Sequence, residues 1–240
     1  MPSEGISLNK FISDTGFCSR READKLILAG RVTINAIVAK TGNRVMDNDA
    51  VLIDGEPLIA KKTSIYLAFH KPVGISSTTD LKDKHNIIDY IHHPERIFPI
   101  GRLDKDSEGL IFLTNDGDIV NKILRAGNNH EKEYIVTVDK PIGPEFIKRM
   151  GSGVRILDTL TQKCMVGQEQ KNVFRIILTQ GLNRQIRRMC QALGYKVIKL
   201  VRVRIMHITL QGLQAGKWRY LTEKEIAEIG LLVKDSSKTA

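Results

Sequence analysis

Apolar positions recur along this chain in two different periods, and where the period changes the elements can be separated. Leu8, Phe11 and Ile12 repeat at helical spacing behind Ser7. Ser19-Arg-Arg-Glu22 has the form of a capping box, with Ala23, Leu26 and Ile27 on one face behind it and Gly30 as a stop, so a second helix is predicted there. Residues 32–38 and 51–53 then read as short strands, which completes a small helix-helix-strand module ending near Glu56 and Pro57. At 60–64 the apolar period lapses into polar residues, and the linker is placed there, dividing the chain into 1–63 and 64–240. Beyond it, strands are predicted at 66–70, 110–114, 134–138, 173–178 and 197–203, with helices at 118–124, 145–150 and 184–193. Several connections, such as the one from Val203 to Ile208, are too short for a parallel crossover. The pattern therefore predicts an α+β fold with a mostly antiparallel mixed sheet flanked by helices. Thr222-Glu-Lys-Glu225 is another capping box, opening a last helix that uses Ile226 and Ile229 before a polar tail at 234–240 that is expected to be disordered.

Charge adds direction to this outline. The chain carries 37 Lys and Arg against 27 Asp and Glu, a formal net charge of +10, which points to a polyanionic partner. The excess is uneven: residues 1–63 hold nine basic and eight acidic side chains, whereas residues 170–222 hold eleven basic ones and no acid. Ordinary solvated faces mix both signs, so a one-sign stretch of that length reads as a phosphate-facing surface. Lys10, Arg20, Arg21, Lys25 and Arg31 are the exposed basic positions expected on the first module. Cys18, Cys164 and Cys190 are far apart, and the six histidines form no ligand motif, so neither a disulfide framework nor a metal site is expected. The N-terminus has no signal-like pattern and the longest apolar run, 65–69, falls far short of the ~20 residues of a membrane span. A cytoplasmic monomer is the expectation.

Candidate chemistry centres on Asp104, a carboxylate lodged between apolar residues with Arg102 two positions away. Such an aspartate either caps a turn before the following strand or is a reactive group held by a cation and hydrogen bonds. Asp106, at i+2, opens a third reading in which the two carboxylates act as the acid and base of a glycosidase. In the helix after Asn183, Ile186, Met189, Cys190 and Leu193 define a buried stripe, and Arg184 and Arg188 fall opposite it, placed to meet phosphates. Arg187 lies on the border, either reaching inward to a carboxylate or covering apolar residues with its stem. Tyr134 opens a strand and serves either as core or as a platform on which a base stacks. Gly151-Ser-Gly153 lacks the spacing of a dinucleotide loop, so no nucleotide cofactor is expected.

Lys71-Pro-Val-Gly74, Gly101-Arg-Leu-Asp-Lys-Asp-Ser-Glu-Gly-Leu110, Thr114-Asn-Asp-Gly117, Lys132-Glu-Tyr134 and Gln180-Gly-Leu-Asn-Arg-Gln-Ile-Arg-Arg-Met189, in that order and spacing, resemble the RsuA/RluB/RluE/RluF family of ribosomal RNA pseudouridine synthases, the RluF branch in particular. The resemblance spans nearly the whole chain. It implies an S4-like RNA-binding domain over residues 6 to about 53 of the sequence, followed by a pseudouridine synthase catalytic domain. It also implies that Asp104 is the catalytic aspartate acting on a flipped-out uridine, that Tyr134 stacks on the uracil, and that Arg187 holds Asp104 ionised. Ile186 would form an apolar wall and Arg102 would enter the stack where the uridine had been. Arg184, Arg188, Lys10, Arg20, Arg21 and Lys25 would contact RNA. The implied substrate is 23S ribosomal RNA, with transfer RNA open as a second substrate and no cofactor. The rival from another class is a non-catalytic S4-type RNA-binding or ribosome assembly factor, and a nucleosidase using Asp104 with Asp106 is a third.

Overall fold

The computed structural model describes residues 5–58, 63–124, 129–234 and 236. The expected linker at 60–64 and tail at 234–240 lie largely outside these residues. The chain divides into two compact units, Met1–Ser64 with Pro94–Arg96, and Ile65–His93 with Ile97–Ala240.

In the first unit the two expected helices span Leu8–Asp14 and Arg20–Leu28. The capping box forms as read: the Glu22 N–H donates to Ser19 Oγ at 3.2 Å and the Ser19 N–H donates to Glu22 Oε2 at 2.8 Å. Leu8, Ile12, Ala23 and Ile27 bury their shared faces with Val32, Val45, Val51 and Ile53. Residues 32–38 are not one strand. They form a hairpin of Val32–Ile34 and Ile37–Val38, because Asn35 and Ala36 take φ of 50° and 66°, the left-handed pair that closes a two-residue turn. The Asn35 side chain fixes that turn, donating to Asp49 Oδ1 at 2.8 Å and accepting from the Ala50 N–H at 2.9 Å. The sheet order is Ile37–Val38, Val32–Ile34, Val51–Ile53, Glu56–Pro57, antiparallel throughout.

The second unit is built on a nine-stranded sheet. Its main path runs Met165–Gln170, Val173–Leu178, Lys132–Val138, Val197–Ile205, Glu108–Thr114, Tyr66–Lys71, Trp218–Tyr220, with Ile208–Thr209 and Phe98–Ile100 paired beside it. One pairing is parallel, between Val197–Ile205 and Glu108–Thr114, and the others are antiparallel, as the short connections predict. Helices Ile87–Ile91, Asp118–Leu124, Pro144–Gly151, Gln185–Ala192 and Glu223–Leu232 accompany it.

The strand Glu108–Thr114 explains its own apolar run, since every residue after Glu108 is buried. Leu110 and Phe112 pack with Ile123 and Ile229, whereas Ile111 and Leu113 pack with Ile87, Ile91 and Leu103. A strand covered on both faces needs no alternation of polar residues. Each such buried Leu, Ile or Phe contributes roughly 1.5–3 kcal/mol of burial free energy. At the parallel pairing Gly109 takes φ +125°, and a Cβ there would lie 2.4 Å from the Arg202 backbone nitrogen, so the close approach of the two strands requires glycine. Leu103, anchored in the second of these clusters, fixes where the next residue, Asp104, emerges.

Candidate active site

Residues 101–107 link Phe98–Ile100 to Glu108–Thr114 without regular secondary structure, so their backbone groups must find partners elsewhere. The Leu103 N–H donates to Ser77 Oγ at 3.1 Å, and the Ser77 hydroxyl donates to the Leu103 carbonyl at 2.9 Å. The Gly74 N–H donates to the Lys105 carbonyl at 2.8 Å, and the Ser107 N–H to the Asp104 carbonyl at 3.0 Å. The bonds to Ser77 and Gly74 hold the segment against residues 74–77, the Ser107 bond closes a turn within it, and between the two segments lies a cleft of 470 Å³. Arg102, Asp104, Lys105, Asp106 and Arg184 line it together with Gly74 and Ser77.

Asp104 is partly open to solvent, its side chain 31% exposed, and its Oδ2 lies 3.3 Å from Arg184 Nη1. The same guanidinium clasps Asp106 with both nitrogens, at 3.1 and 3.0 Å. Arg187 Nη2 donates to the Asp106 carbonyl at 2.8 Å and to Ser107 Oγ at 3.1 Å, and lies 3.4 Å from Asp106 Oδ2. Among the described residues the arginine within ion-pair distance of Asp104 is therefore Arg184, which helical geometry had assigned to the phosphate-facing side, while Arg187 grips the loop two and three residues further on. The reason is local. Arg184 is not in the helix but caps it with φ 49°, a left-handed turn that takes its side chain off the helical wheel. Arg188, expected to be open to phosphates, folds back on Asn183, donating to its carbonyl at 3.1 Å and its side-chain oxygen at 3.2 Å. Asp104 and Asp106 share one arginine instead of facing each other as a separate acid and base.

Ile186 is buried with Met189 and Cys190 in the core and is not among the residues lining the cleft. Tyr134 is half-buried, packed against both that core and the cluster containing Leu103, and it pairs in register with Arg202 on the next strand. It too is absent from the cleft lining. Arg20, Arg21 and Lys25 are exposed on the first unit, and Lys10 pairs with Asp14 one turn away.

The charge environment is dense. Hydrogen bonds from Arg184 hold the Asp106 carboxyl below the usual carboxylate range, and Asp106 in turn raises the Arg184 guanidinium. Lys71 is fully buried, and its ammonium donates to the Pro72 and Ile75 carbonyls at 2.9 and 2.8 Å. Burial pushes its pKa down to about 8, against the opposing pull of Asp104 and Asp106. Lys132 is pushed down to about 8 in the same way, with Arg202 adding to the effect. Sequence patterning marked neither lysine as buried and did not mark Asp106 as an anchor for two arginines. The available signal was the position of each inside a motif already singled out. Among the described residues no three His, Cys, Asp or Glu side chains converge as metal ligands would, and no helix is long and apolar enough to cross a membrane.

An α+β unit with a carboxylate and arginine pair in an open cleft, preceded by a small module of two helices and hairpins, is the arrangement of an RNA-modifying enzyme whose class the comparisons define. Residues 65–192 match the RNA pseudouridylate synthase family and residues 7–51 the S4 domain. The chain belongs to the RNA pseudouridylate synthase family, with an N-terminal S4 RNA-binding domain ahead of the synthase domain. Among curated relatives it is 54% identical over 239 residues to the dual-specificity RNA pseudouridine synthase RluF of Escherichia coli (strain K12), covering 99% of this chain and 82% of the relative. It is 34% identical over 243 residues to the ribosomal large subunit pseudouridine synthase B of Bacillus subtilis (strain 168), covering 97% of this chain and 98% of that one. A crystal structure of a pseudouridylate synthase superposes with a TM-score of 0.69 at 27% identity, covering 94% of this chain and 100% of the other. The resemblance drawn from the five motifs and the fold class expected from the apolar pattern both hold.

Proposed function

We propose that this pseudouridine synthase acts on uridine in 23S ribosomal RNA, with Asp104 as the catalytic carboxylate and no cofactor. The observation that carries the reading is the placement of Asp104: cleft-lining, 31% exposed, and paired through one oxygen with Arg184 at 3.3 Å. A carboxylate so placed has a cation beside it and is reachable from the cleft. Isomerisation breaks the bond from C1′ to N1 and forms one from C1′ to C5, while the C5 proton is lost and N1 gains one. Atoms and electrons balance without a group donor or an oxidant, so a positioned carboxylate and an oriented ring are the groups the step calls for.

Neither C5 nor C1′ can be reached inside a stacked helix, so the uridine must be turned out, at a cost of a few kcal/mol that stacking and backbone contacts offset. Tyr134, half-buried beside the Leu103 cluster, is assigned the stacking role. Arg102, exposed at the cleft, is assigned the place vacated by the uridine. Arg184 is assigned the charge partnership with Asp104, and Arg187 the support of the loop that carries it. Lys10, Arg20, Arg21 and Lys25 of the S4 domain are assigned phosphate contacts, which makes affinity fall with salt. The names of the curated relatives support RNA, and for one of them the ribosomal large subunit, as the substrate class.

Purified protein incubated with 23S ribosomal RNA should produce a carbodiimide-dependent primer-extension stop at a specific uridine. Asp104→Asn should bind the same RNA and give no stop. Modification by Asp104→Asn at the wild-type rate refutes the assignment, and RNA binding without any modification by the wild type favours a non-catalytic assembly factor. The same assay on transfer RNA decides whether a second substrate is used.

A further inference from the structure

Asp104 lies in a segment with no strand ladder, yet the residue before it is buried, at 7% exposure, and needs partners for both of its backbone groups. Both partners are one atom. Ser77 Oγ accepts from the Leu103 N–H at 3.1 Å while its own hydrogen goes to the Leu103 carbonyl at 2.9 Å, using donor and acceptor capacity together. Ser77 is itself 6% exposed and is fixed in turn. Its neighbour Ser76 bonds through its N–H to the His85 carbonyl at 2.9 Å and through its carbonyl to the Ile87 N–H at 3.0 Å. Ile87 is fully buried in the same cluster as Leu103. On the far side of Asp104, the Gly74 N–H holds the Lys105 carbonyl at 2.8 Å. The residues on either side of Asp104, Leu103 and Lys105, are thus each bonded to residues 74–77, a stretch anchored independently of the arginines.

We propose that Ser77 is a positioning residue for the reaction: its hydroxyl fixes the two peptide planes around Leu103 and thereby sets the reach of the Asp104 carboxylate into the cleft. The inference rests on the reading of Asp104 as the catalytic carboxylate. Loss of the hydroxyl leaves the Leu103 N–H and carbonyl buried without that partner, and the segment can recover hydrogen bonds only by shifting toward solvent. A displacement on the order of 1 Å at a reacting group can lower a rate by about 100-fold.

The test is single-turnover release of tritium from RNA carrying uridine labelled at C5, with enzyme in excess, for the full-length wild type, Ser77→Ala, Ser77→Thr and Asp104→Asn. The rate constant at saturating enzyme reports positioning and does not depend on the folded fraction, which circular dichroism of each variant measures separately. Ser77→Ala should lower the rate constant about 10- to 100-fold with RNA affinity within about twofold, and Ser77→Thr, which keeps the hydroxyl, should return most of it. A wild-type rate constant in Ser77→Ala, whatever its amplitude or melting temperature, overturns the proposal. Equal slowing of the Ala and Thr variants overturns it as well, because the effect would then belong to packing. Tritium release by Asp104→Asn at the wild-type rate would instead overturn the reading of Asp104, so the two failures are distinguishable.

Discussion

Raising the pH from neutrality should strengthen folding between pH values of about 8 and 9, leave it nearly level to about 10.5 and weaken it beyond, because two lysines and two cysteines oppose each other. Lys71 and Lys132, 0% and 6% exposed, have pKa values pushed down by burial to about 8 from an ordinary 10.5. Above about 8 the unfolded chain therefore holds protons that the folded chain has lost, and stability rises with pH by up to about 1.4 kcal/mol per unit for each lysine. Cys164 and Cys190 act in the other direction, their thiols raised by burial to about 11 and about 12 from 9.0. From about pH 9 the unfolded thiols ionise while the folded ones do not, and each removes a similar increment as pH rises. The expected result is a gain of about 2–3 kcal/mol confined to roughly one pH unit, then a plateau to about pH 10.5, where the unfolded lysines lose their protons too, and a decline beyond it. Urea midpoints at constant ionic strength and with reductant present, converted through an unchanged m-value, measure it. Lys132→Met should halve the gain. A stability that falls across that unit, or a slope indifferent to Lys132→Met, refutes the assignment of buried charged lysines.

Two other substitutions test the site and the sheet. Arg184→Ala removes a charge 3.3 Å from Asp104 Oδ2, worth about 5 kcal/mol at an effective dielectric of about 20 and about 1 kcal/mol in water. With side chains 40% and 31% exposed the lower end applies, so turnover should fall about tenfold with little change in melting temperature, and unchanged turnover would remove Arg184 from the site. Gly109→Ala places a methyl 2.4 Å from the Arg202 backbone nitrogen at a φ of +125° and should cost more than about 4 kcal/mol, seen as loss of the cooperative thermal transition. A native melting temperature in that variant would show that the parallel strands do not approach as described.

Elements whose cause is local were legible in the sequence. The capping boxes at Ser19 and Thr222 form with both reciprocal bonds, and a helix at Asp118–Leu124 forms where its apolar spacing predicts one. Elements whose cause is distant were not. Met165–Gln170 is a strand because Val173–Leu178 offers it an edge, and with most of its residues exposed it has no apolar period to read. Ile87–Ile91 is too short for a period and exists by the Asn86 cap, whose side chain accepts from the Asp89 N–H. The turn at Asn35 and Ala36 was hidden because apolar residues flank it on both sides, and Ile37 and Val38 are exposed in spite of their chemistry. In the site the same division holds: the motifs led to Asp104, but the choice between Arg184 and Arg187 depended on one left-handed residue that no helical wheel contains.

That choice bears on how a carboxylate can have a cation beside it and still be available. A guanidinium bound to Asp104 alone would occupy both of its oxygens in the favoured two-point geometry. Here the two-point contact is spent on Asp106, at 3.0 and 3.1 Å, and Asp104 receives a single longer contact at Oδ2. Asp106 is also gripped by Arg187 through its carbonyl and its side chain, so the second aspartate is the anchor that fixes both arginines, and the first is the one approached by one of them. Beneath them Lys71 adds a buried positive charge that ties the opposite wall of the cleft to its own turn. The Asp104–Asp106 pair, which in sequence invited an acid and base reading, thus consists of one aspartate that holds two arginines and one left with a single ionic contact in the cleft. Moving the carboxylate from 104 to 103 or 105 would take it off the peptide that Ser77 fixes, while Asp106 would keep its hold on both arginines.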